Sequence, residues 1–324
     1  MKKTLALLLV AIMLFSCIAL TSCNQNDGKY TVGICQLVQH PALDAATQGF
    51  IDALKAELGE ENVVIDNQNA SNDPATCTTI VNNFVSKKVD LIMANATPAL
   101  QAAAQQDSIP VLGTSITEYG VALGLDDFNG LVGGNVSGTS DLAPLDQQAK
   151  MLVDLYPEAE KVALLFCSSE PNSEYQVKEI RNQLVKLGLK DANIKDYSFT
   201  DSNDASTVAA AAAAFADVIY VPTDNTVASC TETINGVIGN TPVIAGEEGI
   251  CKGCGVATLS ISYYDLGVAT GKMAAKILKG EAKVEEMPIE YAATFTKKYN
   301  AAKCEELGVD TAALEAAGYI AIED

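Results

Sequence analysis

The chain has no tryptophan and one histidine, His40, and its 21 lysines and arginines face 41 aspartates and glutamates. Each shortage removes a class of function. With one imidazole, a serine or cysteine hydrolase triad would have to use His40 as its base, and no G-x-S-x-G nucleophile elbow accompanies it. No P-loop and no G-x-G-x-x-G run opens a helix, so the common phosphate cradles are missing. A net charge of -20 leaves no basic face to displace counterions from a phosphate backbone, which argues against nucleic acid as a partner. Cys251 and Cys254 have the spacing of a redox or metal pair, but no second pair and no nearby histidine completes a zinc site. Glu247 and Glu248 are neighbours whose side chains would point to opposite sides of a strand, which does not suit a glycosidase pair. The residues thus give no catalytic set, and no metal or cofactor is expected.

Long apolar runs are also missing beyond the first two dozen residues. Those residues read as a targeting segment: Lys2 and Lys3 form a positive start, and Leu5 to Leu20 is an apolar run too short to span a bilayer comfortably. Leu20-Thr21-Ser22-Cys23 then resembles the lipobox at which lipoprotein signal peptides are cut. Residues 1–22 are therefore expected to be removed, Cys23 to carry lipid, and residues 23–29 to form a polar tether holding the protein to the outer face of the cell membrane. Seven cysteines remain: Cys35, Cys77, Cys167, Cys230, Cys251, Cys254 and Cys304. Most fall within apolar strand patterns and read as buried, reduced thiols, with a Cys251–Cys254 disulfide left open.

The rest is too long for one compact core and suggests two lobes. Strand and helix patterns alternate. Strands are predicted at Tyr30–Leu37, Asn62–Asp66, Asp90–Ala94 and Pro110–Gly113, with helices at Pro41–Leu58, Pro74–Val85 and Pro98–Gln106; Asp73 suits a cap for the second helix. The pattern then restarts. Strands are expected at Lys161–Cys167, Ile194–Phe199, Val218–Val221 and Pro242–Ala245, with helices at Ser173–Leu187, Ala205–Phe215 and Thr226–Val237. Such alternation points to an α/β protein with doubly wound parallel sheets. The halves repeat in detail: Asp90-Leu91-Ile92 answers Asp217-Val218-Ile219, and Ile109-Pro110-Val111 answers Thr241-Pro242-Val243. Glycine-rich residues 120–138 separate them. A strand at Val256–Ser262, a helix at Tyr264–Leu278 and an extended segment at Glu290–Thr296 follow the second half. This surplus suggests several crossovers forming a hinge, with residues 30–140 and 262–285 in the first lobe and 141–261 and 286–324 in the second.

Gly33-Ile34-Cys35-Gln36 with His40-Pro41-Ala42-Leu43-Asp44, Ala96-Thr97-Pro98-Ala99, Gly113-Thr114-Ser115, and the run from Asn135 to Asp141 form an ordered set. Glu170-Pro171-Asn172-Ser173, Pro222-Thr223-Asp224-Asn225, Gly246-Glu247-Glu248-Gly249 and Tyr263-Tyr264-Asp265-Leu266-Gly267 continue it in the second half. Over nearly the whole mature chain this set resembles the ABC-transporter solute-binding lipoproteins of the tryptophan/tyrosine-binding type, with the periplasmic-binding-protein type I fold. The resemblance implies a monomer that captures a small amino acid-like solute, aromatic by family likeness, and delivers it to an ABC permease and its ATPase. Branched-chain amino acids, nucleosides, sugars and a ligand-sensing role remain alternatives.

Physical reasoning gives these positions a task of their own. Ligands of parallel sheets sit beyond the carboxyl ends of strands, where most of the motifs fall. Thr97, Thr114, Ser115, Asn172 and Ser173, near helix starts, are candidate donors to a carboxylate. Asp224, between Thr223 and Asn225, is the first candidate to accept an ammonium, with Glu247 or Glu248 second, because a buried carboxylate without a basic partner is costly. Gln36 and His40 are candidates to touch the ligand side chain.

Overall fold

The computed structural model describes residues 28–323, so the expected signal segment and Cys23 lie outside the described residues. The first lobe runs β1 (Tyr30–Gln36), α1 (Pro41–Leu58), β2 (Val63–Asn69), α2 (Pro74–Lys87), β3 (Leu91–Asn95), α3 (Thr97–Ala103), β4 (Val111–Ile116), α4 (Tyr119–Leu123) and β5 (Val136–Ser140). The second runs α5 (Leu145–Leu155), β6 (Val162–Cys167), α6 (Pro171–Lys186), β7 (Ile194–Phe199), α7 (Ala205–Phe215), β8 (Val218–Val221), α8 (Asn225–Ser229), α9 (Thr231–Ile238), β9 (Val243–Ala245), α10 (Glu248–Cys254) and β10 (Ala257–Ser260). The chain ends with α11 (Tyr263–Leu278), β11 (Glu290–Tyr291), β12 (Thr296–Tyr299), α12 (Ala301–Leu307), α13 (Thr311–Ala316) and β13 (Ile320–Ala321).

Two sheets result, ordered β11-β5-β4-β3-β1-β2 and β13-β12-β10-β9-β8-β6-β7. The first is parallel throughout, and the second is parallel except where β12 runs against β10. Side-chain alternation divides each core. Val32 and Ile34 face one side of the first sheet with Phe50 and Met273, while Cys35 faces the other with Phe84 and Leu100. In the second lobe Leu164 and Phe166 face Val177 and Ile180, and Ala163 and Leu165 face the alanines of α7. Among the described residues no helix is long and apolar enough to cross a membrane.

The predicted alternation is met, with revisions that have local causes. Asp73 caps α2 as expected, accepting from the N–H groups of Ala75 and Thr76. The helix expected over Thr226–Val237 breaks at Cys230 into α8 and α9. β5 emerges from the glycine-rich stretch that composition marked only as a link. The extended segment Glu290–Thr296 is divided between sheets: β11 pairs with β5 in the first, and β12 with β10 in the second. This corrects the expected lobe boundary at residue 285, because Tyr291 still belongs to the first sheet. The three crossings lie after Ser140, between Ser260 and Tyr263, and between Tyr291 and Thr296. All seven described cysteines are free, so the open disulfide is not formed.

The middle crossing is secured by α11 lying against α1. Their backbones come close enough that a Cβ on Gly267 would overlap the Ala46 carbonyl. Gly267→Ala is therefore expected to lower stability by about 1–3 kcal/mol through overpacking, read as a lower melting temperature. An unchanged melt would show that the helices separate without cost.

Candidate ligand-binding cleft

Loops after the carboxyl ends of β1 and β2 meet the loop after β8 across an interlobe cleft, so the lobes are closed upon it. At its open edge the His40 Nε2 lies 3.3 Å from Asn225 Oδ1, and Asn72 donates to the Thr226 hydroxyl at 3.2 Å. At its hinge end the Tyr263 phenol, on the middle crossing, donates to Asp141 on the first at 2.9 Å. Of the seven buried side-chain atoms without a partner among the described residues, five belong to residues at the carboxyl ends of strands or just after them, His40 Nδ1, Asn95 Oδ1, Ser115 Oγ, Asp141 Oδ1 and Asn172 Oδ1, and two, Asn235 Oδ1 and Thr258 Oγ1, lie elsewhere in the second lobe. Buried polar groups are almost always paired, so such a concentration marks a place built to receive polar atoms from elsewhere.

Backbone strain collects at the same place. Ala96 and Ser115 have φ of 88° and 55°, in the left-handed region that costs a non-glycine residue about 1–3 kcal/mol. The Ser115 conformation coincides with a register shift between β4 and β5 and presents its hydroxyl at the strand end. Thr97 opens α3 one residue after Ala96 and is buried. The first-lobe wall therefore offers hydroxyl groups and no charge at Ser115 and Thr97.

The second-lobe wall is acidic. Glu170, Asp224 and Glu247, with Asp141 at the hinge, are all at most 4% exposed, and among the described residues none is within ion-pairing distance of a basic side chain. Backbone N–H groups satisfy most of them. Asp224 accepts from Cys167 and Val227, and Glu247 caps α10 by accepting from Gly249 and Ile250. Glu170 accepts from the N–H groups and side chains of both Asn225 and Thr226. Asp141 is the exception, with Oδ1 unpartnered. Burial pushes its carboxyl up to about 6 despite the nearby Tyr263 and Thr117 hydroxyls. Burial likewise raises Glu247 to about 7 against its two N–H donors, and burial with the neighbouring Glu170 charge holds Asp224 well above the usual carboxylate range.

The structure places the sequence candidates as follows. Hydrogen bonds link His40 to Asn225, Asn225 and Asn172 to Glu170, Asn172 to Thr223, and Ser173 to Asp224, while Thr97, Ser115 and Glu247 are buried at or just after strand ends, and three others turn elsewhere. Gln36 turns into its own lobe, donating to Val38 O and Asp44 and accepting from Thr47, which ties β1 to α1. Thr114 is locked under the cleft floor with Thr139 and Thr270. Glu248 pairs with Lys298 at 2.6 Å and needs no ligand cation. Asn172 changes sense: its amide NH₂ faces the acceptor-only Glu170 carboxylate and Thr223 carbonyl, so the free atom is an acceptor and not a carboxylate donor. Ser173 packs against Asp224 as one of its supporting hydroxyls. Asp141 and Glu170 were missed as site residues. Asp141 fell in the link segment outside the strand-end rule, and the reach of Glu170 to residues 55 and 56 positions away has no local signal.

Two lobes closing over a polar cleft at the carboxyl ends of parallel strands define a solute-binding protein. The family model described as ABC transporter substrate binding protein matches residues 31–315, and the chain belongs to that family, whose members work outside the cytoplasm. It is 35% identical over 308 residues to a tyrosine-binding protein of Clostridioides difficile strain R20291, covering 89% of this chain and 87% of that one. A Streptococcus pneumoniae ABC domain solved with L-Trp is 32% identical, covers 91% of this chain and 100% of its own, and superposes with a TM-score of 0.84. The ligand-free, open structure of a substrate-binding protein with adhesive properties from Clostridium difficile is 36% identical with the same coverage, 91% and 100%, but has a TM-score of 0.68. The better superposition on the ligand-bound form, despite lower identity, agrees with the closed lobes seen here.

Because the folded values of Asp141 and Glu247 lie above those of the unfolded chain, the native state holds extra protons between about pH 4 and 7. Their contribution to stability is thus full in acid and is lost as pH rises through that window. Urea unfolding of the ligand-free protein should show this fall, and Asp141→Asn should flatten the part up to about pH 6, at about 1.4 kcal/mol per pKa unit removed. A variant with the wild-type slope would remove Asp141 as its source.

Proposed function

We propose that this protein captures an aromatic amino acid between its lobes and delivers it to an ABC permease driven by an ATPase, working as a monomer tethered through lipidated Cys23. It performs no catalysis. The observation that carries the reading is the polarity of the cleft, with hydroxyl donors on the first lobe and an uncompensated carboxylate oxygen at the hinge. A zwitterion fits that polarity: its carboxylate meets Ser115 and Thr97, and its ammonium meets Asp141 Oδ1 and Asn172 Oδ1. The hydrogen bonds already made by Asp224 give it the supporting role of fixing the strand-end loops around the ammonium site. The ligands of the relatives, tyrosine and L-Trp, support the aromatic class.

A thermal-shift series with the twenty amino acids, a nucleoside and a sugar tests this, since a ligand that binds only the folded state raises the melting temperature. Tyrosine or tryptophan should give the largest shift; a response to the sugar or nucleoside alone would sink the amino-acid reading. Asp141→Asn should remove most of the response while leaving the protein folded, because it deletes the charge that faces the ammonium. Asp224→Asn should instead lower the melting temperature without ligand, and a reversal of these two effects would return the ammonium to Asp224. For the tether, Cys23→Ala should move the protein from the membrane fraction to the medium, whereas retention would show a different anchor.

A further inference from the structure

The polar contacts at the open edge of the cleft form a chain with a fixed direction. A carboxylate only accepts, so Glu170 Oε2 requires the Asn225 NH₂ group to face it, at 2.7 Å. The Asn225 carbonyl oxygen then faces His40, and that oxygen also only accepts. The His40 proton must therefore sit on Nε2, leaving a lone pair on Nδ1. Burial keeps the ring neutral by lowering its pKa, against Asn225 and against the charges that face it, Glu170 across the cleft and Asp44 on α1. Nδ1 is buried and unpartnered, and the imidazole does not cap α1. With Nε2 reaching the opposite lobe, the ring itself stands between the lobes.

We propose that His40 selects the ligand side chain, accepting through Nδ1 a hydrogen bond from its O–H or N–H, so that the cleft takes tyrosine or tryptophan in preference to phenylalanine. Glu170 is the positioning residue that sets this selectivity through Asn225. The inference rests on the amino-acid reading of the cleft and adds the atom that reads the far end of the side chain. Tyrosine ends in a hydroxyl and tryptophan carries an indole N–H, whereas phenylalanine has neither. Enclosing phenylalanine would leave the Nδ1 acceptor without a partner, and a site built around a hydrogen bond rejects an analogue that lacks the donor.

Titration calorimetry of the full-length protein with tyrosine, tryptophan and phenylalanine tests this. At pH 7.5 the wild type should bind tyrosine about 10- to 100-fold more tightly than phenylalanine, the range expected from one unmade buried hydrogen bond. His40→Phe should bring the two within about twofold, since the selecting acceptor is gone. Glu170→Gln should also shrink the ratio, because an amide facing Asn225 lets that side chain invert and the imidazole exchange its proton; a purely structural role would weaken both ligands alike and leave the ratio intact. Acidification should reduce the ratio as Nδ1 gains a proton, whereas titration of Asp141 weakens both ligands together and cancels from it. Equal wild-type affinity for tyrosine and phenylalanine, or a ratio that persists in His40→Phe, overturns the selection and leaves the amino-acid reading standing. Failure of all three to bind overturns both.

Discussion

Closing two lobes over carboxylates withdraws water from groups that no basic side chain among the described residues pairs with, and this desolvation governs how the second-lobe wall is built. A buried ionised carboxylate costs several kcal/mol unless hydrogen bonds or a counter-charge offset it. Asp224 and Glu247 meet that cost with backbone N–H groups at the starts of α8 and α10, and Glu170 with Asn225 and Thr226. Helix starts supply such donors because their first N–H groups have no partner within the helix. Asp141 lacks this provision on one oxygen. Its hydrogen bond from Tyr263 places that free oxygen beside the first and middle crossings, where the lobes are joined.

The fold positions these groups by simple means. Parallel strands deliver their carboxyl ends to one side of each lobe, and the three crossings hold those two sides toward each other. The threonine cluster of Thr114, Thr139 and Thr270 joins β4, β5 and α11 beneath the cleft floor, so the first-lobe wall is braced by the returning helix. The left-handed residues Ala96 and Ser115 lie at the ends of β3 and β4, the latter one residue from Thr114 in that cluster.

Much of this was readable from the sequence, for identifiable reasons. Hydrophobic period and proline positions marked Pro41–Leu58, Ile194–Phe199, Ala205–Phe215 and Val218–Val221 with the bounds the structure shows. β5 escaped because Val136-Ser137-Gly138-Thr139-Ser140 carries little apolar signal, its small side chains serving close contact with β4 and α11. For the candidate site, proximity to strand ends picked out His40, Ser115, Asn172 and Asp224, all of them buried. Strand-end proximity does not say which way a side chain turns, so Gln36 and Thr114, each beside a true cleft element, were counted although both turn away from it. The assignments that needed hydrogen-bond direction depend on distant partners as well as near ones: Asn172 is turned by Glu170 two positions away and by Thr223 51 positions away, and Glu170 itself by Asn225 and Thr226, 55 and 56 positions away.

The unpaired thiols bear on how the protein reaches this form. Cys251 and Cys254 are buried on α10, and Cys35 and Cys77 lie buried in the first-lobe core, each serving as a small apolar filler. Among the described residues no disulfide links distant parts of the chain, so the described fold does not depend on an oxidised cysteine pair. A change in redox potential would find no disulfide to break among the described residues, and the two lobes would keep their packing under reducing conditions.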